Sequence, residues 1–292
     1  MLNLFALTNS PVNRVQRFKI SNDLQIDLDS FLKEQEAIFR KATYELIPFD
    51  GKYKPDLGEV LVISDFDDLD GLKDAIESPL TVPEINPSIE NFESIKALFS
   101  GYKKVDGSIV VLIQAFEKKR VISTNGISIF HSANEYRKIE GNGLTIDGKI
   151  SAILEGGALQ FCSFHSLRQI FDLSIYYKEA TDVDINQFAT LPCIHVSDIK
   201  ATIQLSDGWI RRKLWLISQS QILQKISIDQ IKIIAKEFHI DLVTQINDEI
   251  EKIVIPDNKR DLKKLLRFLD EDYYRSPLLN NGYISNSKRP IS

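Results

Sequence analysis

The stretch Asp257 to Ile291 reads DNKRDLKKLLRFLDEDYYRSPLLNNGYISNSKRPI. Pro256 precedes it, and Asp257 is placed to cap the exposed amides of a helix. Leu262, Leu265, Leu266 and Leu269 then recur at the 3, 4 and 7 spacing of one apolar helical face. At roughly 100° per residue, Lys259, Arg260, Lys263, Lys264 and Arg267 fall together on the opposite arc, with only Asp261 beside them. After this amphipathic helix come an acidic turn (Asp270, Glu271, Asp272), Tyr273 and Tyr274, and a Ser276-Pro277 break. An Asn280-Asn281-Gly282 turn follows, then a tail carrying Lys288 and Arg289.

Upstream of this helix, Leu242 to Ile246 and Ile250 to Ile255 read as short strands separated by Asn247-Asp248. From Leu191 the chain is otherwise mostly helical, with Ser206 or Asp207 capping a helix through Trp209 to Gln221 and Ser227 capping one to Phe238. The middle is β-rich. Ile109 to Phe116 is a buried strand, Arg120 to Phe130 contains a hairpin signal at Asn125-Gly126, and Leu144 to Leu154 pairs with Ala158 to Phe164 across Gly156-Gly157. Phe164 to Tyr177 then turns helical. The N-terminal part is mixed: strands at Leu2 to Leu7, Val15 to Ile20 and Glu59 to Ile63, and helices at Asp29 to Tyr44, Phe66 to Glu77 and Ser88 to Phe99. The expected class is α+β, with a boundary near Gly101 to Gly107 that divides residues 1–104 from residues 105–292.

The 292 residues are 43% apolar and 26% charged, the balance of an ordinary globular protein. The longest apolar run, Ile109 to Ala115, is too short to span a bilayer, and Met1 to Thr8 lacks the basic start of a signal peptide. Two cysteines argue for a reducing compartment, so the expectation is a cytoplasmic protein. Net charge is −5, which disfavours nucleic acid as a partner of the whole surface. The charge is uneven, however. From Asp257 onward eight Lys or Arg stand against five Asp or Glu, hence +3, while the residues before it hold 28 cations against 36 anions, hence −8. A basic end on an acidic body suits local phosphate contact, and a solvated helix face is the simpler reading.

Three sequence patterns suggest metal or hydrolytic chemistry. Val60 to Ile63 followed by Asp65 and Asp67 resembles the nucleophile motif of haloacid-dehalogenase phosphatases. Asp68 and Leu69 stand where that motif has Gly and Thr, and an acidic loop before a helix explains the run. Glu117-Lys118-Lys119 at a strand end, with Asp106 or Asp56 upstream, is the minimal pattern of a metal-dependent nuclease, but so short a pattern arises by chance. Cys162 and His165 with Cys193 and His195 offer enough donors for zinc, but at spacings unlike the common fingers. The expectation is therefore no cofactor, no metal ligand and no catalytic residue. A metal-dependent nuclease or phosphatase on Asp65/Asp67 or Glu117/Lys119 stands as the alternative. A further basic site, Trp209 to Trp215 with Arg211, Arg212 and Lys213, would extend the C-terminal cations if its helix packs beside the last one.

The ending also resembles a known family. Leu266 to Leu269, Glu271 to Tyr274, Ser276 to Leu278, Tyr283 and Asn286 to Arg289 are similar, in order and spacing, to the C-terminus of the B subunit of the Kiwa anti-phage defence system. The resemblance covers most of the chain and weakens before about Asp106. It implies a cytoplasmic, DNA-binding defence effector that works with a small membrane-embedded partner subunit and is recruited by it to the inner membrane. A homo-oligomer, a dimer, is expected. The residues expected to bind DNA, largely without sequence preference, are Lys259, Arg260, Lys263, Lys264, Arg267, Lys288 and Arg289, with Arg211 and Arg212.

Overall fold

Glu59 to Ile63 is apolar at four consecutive positions, a pattern that suits a strand covered on both faces. In the computed structural model it lies within an eight-stranded sheet, with Val60, Leu61 and Ile63 all buried. The structure describes residues 2–68, 71–122, 127–132, 134–138, 141–247, 249–285 and 287–289. The fold is α+β, and the chain divides into two compact units.

The first unit comprises the chain up to Phe49 together with Pro55–Leu173. In order it carries β1 (Phe5–Thr8), β2 (Val15–Arg17), α1 (Asn22–Ala42), β3 (Glu45–Pro48), β4 (Glu59–Ile63), α2 (Leu72–Glu77) and α3 (Ile89–Glu93). The long pair β5 (Ile95–Lys103) and β6 (Ile109–Ala115) follows. Short strands β7 (Val121–Ile122), β8 (Ile129–Ser132), β9 (Glu135–Lys138) and β10 (Gly143–Leu144) precede β11 (Ala152–Glu155), β12 (Ala158–Phe161) and α4 (Phe164–Ile170). The sheet order is β2-β1-β5-β6-β11-β12-β4-β3, antiparallel except for the β3–β4 edge pair. Its central strand β6 buries Val110, Val111, Leu112 and Ile113 in succession, so neither face meets water. Alternation divides them: Val110 and Leu112 join Leu28, Leu32 and Phe39 of α1 in one core cluster, and α2 and α4 pack against β6 as well.

The second unit comprises Asp50–Lys54 and Ser174–Ser292. Its elements are α5 (Asp182–Ala189), β13 (Ile194–His195), α6 (Ile199–Leu205), α7 (Gly208–Ser220), α8 (Ile222–Lys225) and α9 (Ile228–Glu237). They continue through β14 (Thr244–Asn247), β15 (Ile250–Val254), α10 (Lys259–Leu269), β16 (Tyr273–Arg275) and β17 (Gly282–Ile284). The core is built from Ile185 and Phe188 of α5, Ile210, Leu214 and Ile217 of α7, Ile253 of β15, and Leu262 and Leu266 of α10. β16 and β17 form a hairpin in which Tyr274 and Tyr283 stack at 5.5 Å. No helix among the described residues is long and apolar enough to cross a membrane.

Several sequence expectations need correction. α1 begins at Asn22 rather than Asp29, because Ser21 accepts the Leu24 amide and starts the helix two turns earlier. Those turns expose Leu24 and Ile26, so they carry no apolar period to read. Ser88 does cap a helix, but that helix stops at Glu93, and Ile95 to Phe99 is strand β5 between β1 and β6. Here strand pairing on both sides overrides local helical propensity. The helix read from Phe66 begins only at Leu72, after Gly71 at φ 80°, while Phe66 is buried edge-on against Phe171 at 5.1 Å. The helix read as Phe164 to Tyr177 ends at Ile170, where the extended Phe171 takes the C-cap. The Asn125-Gly126 turn lies outside the described residues. The strands flanking it do not pair with each other: β7 pairs with β10 and β8 with β9. Gly101 to Gly107 is the end of β5 and its turn into β6.

Candidate functional site

The apolar arc of α10 is spent on the core: Leu262 and Leu266 are fully buried, and Leu265, Phe268 and Leu269 nearly so. Its first turn is closed by Asn258 rather than Asp257. The Asn258 side chain accepts the Asp261 amide at 2.9 Å and donates to the Asp261 carboxylate at 2.9 Å. With the leucines fixed inward, the cations can only face outward or toward α7, which packs alongside.

Asp207 is where the two helices join. One of its carboxylate oxygens caps α7 by accepting the Ile210 amide at 3.0 Å; the other accepts Lys263 Nζ at 2.8 Å and lies 3.0 Å from Lys259 Nζ. Burial opposes its ionisation, but the bonds from Lys263, Ile210 and Lys259 outweigh it and hold the carboxyl well below the usual range. Two residues on, Trp209 is ringed by cations: Lys263 at 5.3 Å, Lys213 at 5.5 Å and Arg267 at 5.5 Å from its ring centre. These distances suit cation–π attraction. Arg260 and Lys264, by contrast, are exposed and make no ion pair among the described residues.

Arg211, Arg212, Lys213 and Lys288 have inward partners. Arg211 donates to the carbonyls of Ser206 and Ala180 and to Asp182 at 2.6 Å. Arg212 is buried and donates to the carbonyls of Lys178 and Asp50. Lys213 is buried between Asp270 at 2.6 Å and Asp272 at 2.6 Å, and Lys288 reaches the same two carboxylates at 3.1 and 2.9 Å. Two lysines against two aspartates make that buried cluster neutral. Burial works against the charge of Lys288, yet its bonds to Asp272 and Asp270 raise its pKa. Arg289 is exposed and lies 5.9 Å over the Tyr53 ring. The structure thus gathers Lys259, Lys263 and Arg267 at Trp209 and Asp207, and leaves Arg260 and Lys264 on the outer arc. The Asp270-Asp272 cluster is one that sequence reading missed. Asp-x-Asp after a helix looked like an ordinary acidic turn, and nothing in Lys213 signals that it is buried.

Several residues of the hydrolytic and zinc patterns have other partners among the described residues. Glu117 pairs with Lys119 at 2.5 Å, both side chains more than half exposed, and that pairing lowers the Glu117 pKa. Asp68 is held by Arg14 at 2.5 Å. Cys162 and His165 belong to one unit, Cys193 and His195 to the other; Cys193 Sγ donates to the Leu223 carbonyl and His165 meets Gln169. Among the described residues no group of three or more His, Cys, Asp or Glu is placed to hold a metal ion.

The family model described as Kiwa protein KwaB-like matches residues 93–279. That span runs from the end of α3 through the whole of α7 and α10 to the β16–β17 turn, and it includes Asp207, Trp209, Asp270 and Asp272. No curated protein and no solved structure matches the chain.

Proposed function

This chain belongs to the KwaB-like family of Kiwa proteins and therefore to a multi-subunit anti-phage defence system, and from that premise we propose that it is the system's DNA-binding effector. It binds duplex DNA through phosphates, using the outward arc of α10. Lys259, Arg260, Lys263, Lys264 and Arg267 make the contacts, joined by Arg289. It acts in the cytoplasm as a homodimer and is brought to the inner membrane by a membrane-embedded partner subunit.

The observation that carries this reading is that Arg260 and Lys264 stand exposed without an ion pair among the described residues, on a helix whose other face is wholly committed to the core. Charge left over from folding is charge available to a ligand. Phosphate contact explains the arrangement without any base-reading element, and phosphate contacts set position rather than sequence preference.

The test is a set of DNA-binding titrations at several salt concentrations with an Arg260→Glu/Lys264→Glu variant. Each lost phosphate contact reduces the slope of log affinity against log salt by about 0.9, so a drop of about 1.8 is expected for every duplex tried. Both positions lie off the apolar arc, so the variant should melt like the parent protein. Unchanged affinity and slope would place the DNA site elsewhere.

A further inference from the structure

Arg212 is a buried cation with no carboxylate in hydrogen-bond contact among the described residues. Its guanidinium lies 4.2 Å over the Tyr177 ring, and Nη1 and Nη2 donate to the carbonyls of Lys178 at 2.8 Å and Asp50 at 3.0 Å. Nε is buried and has no hydrogen-bond partner among the described residues. Burial pushes the guanidinium pKa down, and the carboxylates that oppose this act from farther away: Asp50, Asp270 and Glu179. Asp50 spends its carboxylate on the amides of Lys52 and Tyr53, and Asp270 spends its own on Lys213 and Lys288. A buried charge without a counter-ion is costly, and a bound anion removes that cost.

A cavity lies beside it. It has a volume of about 90 Å³, and its charged lining is Lys52, Arg212, Lys213 and Lys288 against Asp270 alone. Among its described lining residues four cations stand against one carboxylate, with Asp272 behind Lys213 and with Asp50 and Glu179 farther from Arg212. A cavity of this volume has room for one tetrahedral oxyanion. Gly51 closes one wall at φ +71°, where a side-chain Cβ would lie 2.4 Å from Arg212 Nη2 and 2.8 Å from the Tyr177 ring. Only glycine lets the loop approach the guanidinium this closely and hold Lys52 at the rim.

We propose that this cavity binds a tetrahedral phosphate group, with Arg212 Nε and Lys52 as its donors. The group is either a free phosphate or nucleotide phosphate, or the 5′ phosphate of a nucleic-acid end. The site stands apart from the exposed cations of α10, so it does not depend on the DNA reading.

Calorimetric titration of the full chain with inorganic phosphate, at constant ionic strength set by chloride, tests it. A 5′-phosphorylated tetranucleotide is then compared with its 5′-hydroxyl twin. Saturable phosphate binding is expected, weakened at least about tenfold in Lys52→Glu because a like charge replaces a charge-assisted donor. Arg260→Glu/Lys264→Glu should leave it unchanged, so failure of this site and failure of the DNA interface give different results. A preference for the phosphorylated oligonucleotide assigns the site to nucleic-acid ends; equal binding of the two oligonucleotides beside saturable inorganic phosphate assigns it to free phosphate. The proposal is overturned if neither inorganic phosphate nor the 5′ phosphate shows saturable binding. It is also overturned if Lys52→Glu binds phosphate as the parent does. Arg212→Met, if its melting profile shows a folded protein, should abolish binding, and retention there overturns the assignment independently.

Discussion

Asp207 and Lys263 meet at 2.8 Å, so the carboxylate that caps the start of α7 also neutralises a cation on α10. A local helix-start signal and a long-range helix–helix contact are carried by the same side chain. That dual role makes Asp207 a sensitive point for both stability and surface charge.

Asp207→Asn keeps a capping oxygen but removes the charge that Lys259 and Lys263 share. The folded carboxyl pKa is depressed, so its stabilising contribution is fully present above the unfolded value of about 3.9 and is lost as pH falls toward the folded value. The variant should therefore be less stable than the parent at neutral pH, with the gap closing below about pH 4. Urea unfolding midpoints at pH 7 and at pH 3 check this; a gap that does not change with pH would mean the ion pairs contribute nothing.

The same substitution should strengthen DNA binding. The Asp207 carboxylate competes with phosphates for Lys259 and Lys263, so removing its charge should raise affinity at low salt for every duplex. Parallel titrations of Asp207→Asn and the parent decide it. Weaker binding by a folded Asp207→Asn would argue that α10 does not face the duplex.

Lys213→Met should destabilise the second unit by about 3 kcal/mol or more, because it strands Asp270 and Asp272 in the interior with Lys288 as their remaining partner. Adding Asp270→Asn should recover part of that loss, since one uncompensated charge is then gone. Denaturant unfolding of the single and double variants measures both, and equal stabilities would show that the pairing is energetically idle.

Leu266→Ala should cost about 2–5 kcal/mol, the range for a fully buried leucine whose cavity cannot collapse. Lys264→Ala, two residues away on the exposed arc, should change stability by less than about 0.5 kcal/mol. Comparable losses in the two variants would contradict the division of α10 into a core face and a free face.

The sequence by itself determined the elements whose signal is local. The leucine spacing of α10, the caps Ser88 and Ser227, and the turn at Gly156-Gly157 depend on residues within one or two turns of each other, and each stands where its pattern placed it; between Ser206 and Asp207 the structure chose Asp207. The family resemblance rested on the same kind of short-range order around α10 and Tyr273-Tyr274. Tertiary structure decided everything that depended on a partner distant in sequence. Ile95 to Phe99 became a strand because β1 and β6 flank it, and α1 began early because one capping serine can extend a helix beyond its apolar face. The fate of each cation was likewise settled by neighbours from elsewhere in the chain: Lys263 by Asp207, Lys213 by Asp270 and Asp272, and Arg212 by the carbonyls of Lys178 and Asp50. A lysine reads the same in sequence whether it faces water or a buried aspartate, because periodicity gives the side of a helix and only packing gives what stands against it.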